Sequence, residues 1–203
     1  GRYKLAKQEL EQQLKGLQGR TPCNLNNAKW ASSLGVSLDP KLNEGLACHG
    51  TKLEALAPIL SSGLNERYSS GAFGDGTYLA EDAGKADQYC EVDAGMRDCA
   101  LHKALYPGGS GHPGNVCYLL VCQVLLGEPA MTFDGVTKHS GGELWVNSNT
   151  RRELVAVPGS DPPFAHHSLL VEKGKAVKRY RELVLPHSDR VLVKYLIAYQ
   201  RQP

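Results

Sequence analysis

Leu5, Leu10, Leu14 and Leu17 recur among Lys, Glu and Gln, a spacing that predicts an amphipathic surface helix over residues 2–18. From Leu46 onward the grain changes. A short strand over residues 46–48 leads into a helical pattern over 52–62, which Gly63 ends as a C-terminal cap. A polar, glycine-rich loop over 65–76 precedes a strand over 77–80, and Asp82 caps a helix expected to run to about residue 92. Residues 94–115 contain Pro-Gly-Gly-Ser-Gly-His-Pro-Gly and are expected to form a mobile loop. The second half reads as strands over 116–126, 153–157, 168–172, 182–185 and 191–199. Early helices and late strands predict an α+β fold of mostly antiparallel sheets with a few flanking helices. Residues 1–45 are expected to be a helix and connecting segment packed on a domain formed by residues 46–203.

Composition narrows the function classes. A chain of 203 residues suits one domain with a sizeable core. A net charge of +2 gives no basic excess of the kind a nucleic-acid-binding domain needs. The longest apolar run, over 116–126, is interrupted by Gln123 and falls well short of the roughly 20 residues that cross a bilayer. The charged start Gly1-Arg2-Tyr3-Lys4 opens a helix rather than a signal peptide. Six cysteines (Cys23, Cys48, Cys90, Cys99, Cys117, Cys122) form no CxxC pair and fit a reduced, intracellular protein with buried thiols. No Cys/His group has zinc spacing, and adjacent His166 and His167 would face opposite sides of a strand, so no metal is expected.

Familiar phosphate and nucleophile motifs are missing: no GxGxxG follows a strand, and neither GxxxxGK[ST] nor GxSxG occurs. Three other blocks stand out in order. The first is Ala47-Cys48-His49-Gly50-Thr51 with Ile59-Leu60-Ser61-Ser62-Gly63-Leu64 behind it. The second is Phe73-Gly74-Asp75-Gly76-Thr77-Tyr78-Leu79-Ala80, continuing through Lys85-Ala86-Asp87-Gln88-Tyr89-Cys90. The third is Tyr180-Arg181-Glu182-Leu183-Val184-Leu185, followed by Val193-Lys194-Tyr195-Leu196-Ile197. Glycine at 50 lets backbone approach a ligand, histidine can hold a hydroxyl, and tyrosines can stack on a flat ring. Glu182 sits between apolar stretches, where a carboxylate is costly unless partnered.

Together the blocks resemble the catalytic domain of the poly(ADP-ribose) polymerases, diphtheria-toxin-like ADP-ribosyltransferases of the His-Tyr-Glu type, over roughly residues 42–200. The resemblance implies the ADP-ribosyltransferase fold, NAD⁺ as substrate and His49, Tyr78 and Glu182 as the catalytic group. It further implies that His49 grips the adenosine-side ribose and the Gly50 backbone binds the nicotinamide carboxamide. Tyr78 and Tyr89 would sandwich the ring, with Thr51, Ala80 and Lys85 completing the NAD⁺ site. Glu182 would stabilise the positive charge that grows on the ribose as the nicotinamide bond breaks.

Two positions depart from the family pattern. Ala86 stands where a serine often meets the carboxamide, and Asp75 stands where a lysine often separates two glycines. The first removes one hydrogen bond, and the second adds negative charge near the pocket mouth. The expected activity is a glycosyltransferase reaction moving ADP-ribose from NAD⁺ to a protein acceptor, with elongation to poly(ADP-ribose) permitted by Glu182. Mono-transfer, NAD⁺ hydrolysis and a non-catalytic NAD⁺- or ADP-ribose-binding module are the alternatives, and an RNA-processing phosphotransferase finds little support in so weakly basic a chain. The loops over 65–76 and 134–152 would shape the acceptor side. A monomer without direct nucleic-acid or membrane contact is expected, nuclear or cytoplasmic, either minimal by nature or the catalytic part of something larger.

Overall fold

The computed structural model describes residues 1–25, 28–95, 99–107 and 111–202. Its helices and strands run in the order α1 (Arg2–Gln13), α2 (Ala28–Ser33), β1 (Glu44–Gly50), α3 (Leu53–Ser62), β2 (Ser70–Gly71), β3 (Gly74–Asp75) and β4 (Thr77–Leu79). There follow α4 (Ala83–Asp87), α5 (Cys99–Leu105), β5 (Cys117–Leu125), β6 (Pro129–Thr132), β7 (Ser168–Val171), β8 (Glu182–Leu185) and β9 (Val191–Tyr199).

Two sheets make the body. One is antiparallel in the order β1-β5-β9, and the other runs β4-β8-β7-β6. The central strand of the first, β5, is buried at every residue, which is why its sequence is continuously apolar rather than alternating. Leu120, Cys122, Val124 and Tyr118 pack with Leu170, Leu183 and Leu185 of the second sheet to form the main core. A smaller core gathers Phe73, Leu144, Trp145 and Leu154 against Leu169 and Val184. The sheets are also joined by backbone. Cys48 and Ala80 exchange two hydrogen bonds, N to O at 2.7 Å and O to N at 2.9 Å, so the end of β1 is fastened just beyond β4.

The α+β expectation agrees with this mixed architecture of mostly antiparallel sheets and few helices. Several details differ. The first helix stops at Gln13 and buries Ala6, Leu10 and Leu14 against Leu42 and Leu125, a stripe at four-residue spacing. Leu5, one step round the helix, is 67% exposed. The helix begun by Asp82, whose side chain accepts from the Gly84 N–H, ends at Asp87 rather than near 92. Arg201 Nη2 takes the carbonyls of Asp87 and Cys90, at 2.6 and 3.0 Å, which a longer helix would need for its own bonds.

Residues 153–157 form no strand. Leu154 bridges Trp145 while Ala156 bridges Ala165, so consecutive outward steps pair with different segments. The sequence did not announce β6, a short edge strand opening on Pro129 and parallel to β7. Of the loop expected over 94–115, residues 96–98 and 108–110 lie outside the described residues, whereas α5 occupies its middle. Among the described residues, no helix is long and apolar enough to cross a membrane.

Candidate active site

Where the two sheets meet, a cavity of about 1050 Å³ opens, as large as typical small-molecule sites. His49, Gly50, Thr51, Tyr78, Ala80, Lys85, Tyr89 and Glu182 all line it. Residues from three separated stretches of chain are thus brought to one wall by β1, β4, α4 and β8.

Gly50 ends β1 where the chain runs against α4. A Cβ built there would lie 1.9 Å from the Ala86 carbonyl oxygen, so no other residue fits without moving backbone. His49, just before it, donates from Nδ1 to the Tyr78 carbonyl at 2.7 Å. Burial lowers its pKa, the carbonyl opposing only in part, and the ring is neutral near pH 7. With the proton on Nδ1, Nε2 is left as an acceptor, the right group for a sugar hydroxyl.

The Tyr78 hydroxyl donates to the Gly74 carbonyl at 2.8 Å and accepts from the Phe73 N–H at 2.9 Å. Burial pushes its pKa up to about 12. Its one proton is spent on the turn, so what Tyr78 offers a ligand is its ring face rather than its proton. Gly71 packs over the ring edge, a Cβ there falling 2.6 Å from Tyr78 Cζ. Tyr89 is 55% exposed and lies under the Lys85 ammonium, 5.4 Å from ring centroid to Nζ.

Glu182 is 8% exposed, and Lys85 Nζ approaches its Oε1 to 3.0 Å. Burial works against the Lys85 charge, but hydrogen bonding to Glu182 prevails and raises the lysine pKa above its ordinary value. The partner that a buried carboxylate requires is therefore on α4. Ala86, on the same helix, is 3% exposed and packs with Cys48 and Cys90. Asp75 is not a free charge at the mouth: Arg152 Nε donates to its Oδ2 at 2.7 Å. The loops on this side are laced together, because Arg151 donates to the Ala72 carbonyl and accepts the Asp75 N–H on its own carbonyl, at 2.9 and 3.0 Å.

The sequence missed the outer part of the cavity. Ile59 and Ser62 of α3 and Tyr68 of the following turn line it too, with Tyr68 90% exposed. Short-range pattern marks α3 as a helix but not which side of it faces the opening.

Elsewhere, Asp93, His102 and His112 bring three ligand-type atoms within 4.8 Å, from positions too far apart to read as a motif. His112 Nδ1 accepts from the Gly114 N–H at 3.0 Å, so its Nε2 carries the proton that it donates to Asp93 Oδ2. Five cysteines are described (Cys23, Cys48, Cys90, Cys117, Cys122), all buried and free, while the Cys99 side chain lies outside the described residues.

The family model for the poly(ADP-ribose) polymerase catalytic domain matches residues 20–201, taking in β1, β4, α4 and β8. The chain belongs to the poly(ADP-ribose) polymerase catalytic-domain family.

Proposed function

We propose that the chain transfers ADP-ribose from NAD⁺ to a protein acceptor, using His49, Tyr78 and Glu182. The observation that carries this is the convergence of all eight expected residues on one cavity, with Glu182 buried there against Lys85. In the reaction the bond between the nicotinamide nitrogen and ribose C1′ breaks, and its electron pair leaves with nicotinamide. The ribosyl carbon becomes cationic, and the Glu182 carboxylate stabilises that charge. An acceptor oxygen or nitrogen then bonds to C1′ and gives its proton to Glu182 or to solvent. Neutral His49 holds a ribose hydroxyl through Nε2, the Gly50 backbone takes the carboxamide, and Tyr78 with Tyr89 brackets the ring.

Elongation to poly(ADP-ribose) is included in the proposal, because Glu182 can orient a ribose hydroxyl as acceptor as well as a protein group. Assay with ³²P-labelled NAD⁺, comparing wild type with Glu182→Gln, tests both levels. A ladder lost in the variant supports polymerisation, and a single labelled band supports mono-transfer. Nicotinamide release that survives undiminished in Glu182→Gln would remove the proposed role of the carboxylate.

A further inference from the structure

Arg181 precedes the carboxylate and faces away from the cavity, yet the sheet register gives it a special place. Leu79 pairs with Leu183 on one side of β8, and Val171 pairs with Glu182 on the other. Continued along both ladders, Ala80 opposes Glu182, and Arg181 has Glu81 on one flank and Glu172 on the other. The side chains make the contacts that this register predicts. Arg181 Nε is hydrogen-bonded to Glu81, and Nη1 donates to Glu172 Oε1 at 2.9 Å. The remaining arm, Nη2, reaches the carbonyls of Cys23 and Asn24 at 3.1 and 3.0 Å.

The guanidinium thus spans three neighbouring strands at the rung where their backbone pairing runs out. Its side chain is 15% exposed, as is that of Glu81, and that of Glu172 is 21% exposed, so this cluster is screened far less than a surface pair. Backbone pairing holds β4 to β8 only as far as Leu79 and Leu183, one step short of Glu182. On the β7 flank Glu182 is still paired, with Val171, so backbone holds it on one side only and side chains close the flank toward β4.

We propose that Arg181 is a positioning residue for Glu182, clasping Glu81, Glu172 and the segment at Cys23–Asn24 so that the carboxylate is fixed toward the cavity. The clasp also makes the N-terminal segment a mechanical part of the site. This inference rests on the catalytic role of Glu182 proposed above.

The test is steady-state nicotinamide release by Arg181→Met, Arg181→Lys and Glu182→Gln, with folding checked by circular dichroism and thermal unfolding. Displacing a reacting group by about an ångström costs up to about a hundredfold, so Arg181→Met should lose at least about tenfold in kcat. KM for NAD⁺ should stay within about twofold, since the groups proposed to bind it are untouched. Arg181→Lys keeps the charge but not the fork, and should recover part of the kcat. A kcat unchanged in folded variants, with only the unfolding temperature lowered, would overturn the inference. If Arg181→Met does not fold, Arg181→Lys decides alone: a kcat reduced by about threefold or more with KM held supports the clasp, and an unchanged kcat overturns it. Full activity in Glu182→Gln would instead bring down the reading on which the inference depends.

Discussion

Lys85 and Glu182 meet at 3.0 Å although they are almost a hundred positions apart, one on a five-residue helix and the other at the start of a central strand. The ammonium also lies over Tyr89, so a single lysine ties the buried carboxylate to the exposed aromatic wall. Lys85→Met should therefore lower kcat for nicotinamide release by about tenfold to a hundredfold. Steady-state kinetics checks this, and a kcat within twofold of wild type would show that Glu182 needs no such partner.

Ala86 lines the cavity with a methyl group that offers no hydrogen bond. Ala86→Ser adds one donor at the cavity wall, and a hydrogen bond is worth about 0.5–1.5 kcal/mol net. Nicotinamide-like ligands should bind between about twofold and tenfold more tightly to the variant, as measured by calorimetry. Equal affinity would place the carboxamide somewhere else.

Gly50→Ala should be harmful for steric reasons alone. The new methyl group would overlap the Ala86 carbonyl, which is backbone and held by the Tyr89 N–H. Overpacking of this kind costs roughly 1–3 kcal/mol, and the unfolding midpoint in denaturant should fall accordingly. Ligand binding should weaken in the same variant, because Gly50 and Ala86 both line the cavity.

Stability at acid pH should carry the mark of His167, which is 1% exposed. Burial, with the nearby Arg190 adding to it, lowers its pKa to about 3. Its Nδ1 accepts from the Glu128 N–H, and its Nε2 donates to Gln13 on α1. The unfolded chain takes up a proton near pH 6.5 and the folded chain only near 3, so stability is intact above 6.5 and declines as pH falls toward 3. The slope from this group is about 1.4 kcal/mol per pH unit. His167→Gln should flatten that part of the profile in unfolding measurements between pH 6.5 and 4. An unaltered slope would mean that His167 is not the group responsible.

Much of this was legible in the sequence, for physical reasons that differ by element. The ends of β8 and β9 could be read because each is an apolar run bounded by proline or polar turns, as at Pro186 and Gln200. The residues that line the inner cavity could be picked out through the three blocks and their family resemblance, since Tyr78 within β4 is by itself an ordinary strand residue. Arg201 could not be foreseen, since the carbonyls it takes at Asp87 and Cys90 are more than a hundred positions away. The same holds for Arg181, whose neighbour Glu182 stands out while its own partners, at 81 and 172, look like ordinary surface glutamates. Long-range polar partners leave no local period, and β6 leaves none either, being short and parallel at an edge.

The bond from His49 to the Tyr78 carbonyl makes one imidazole ring both a rivet and part of the cavity lining. One edge secures the seam between the sheets beside the Cys48–Ala80 bridge, and the opposite edge faces the cavity. The His49 side of this pocket is therefore set when the chain folds. Any exchange at position 49 registers twice, as a looser joint and as an altered cavity wall. Such a residue is held in place by architecture as firmly as by chemistry.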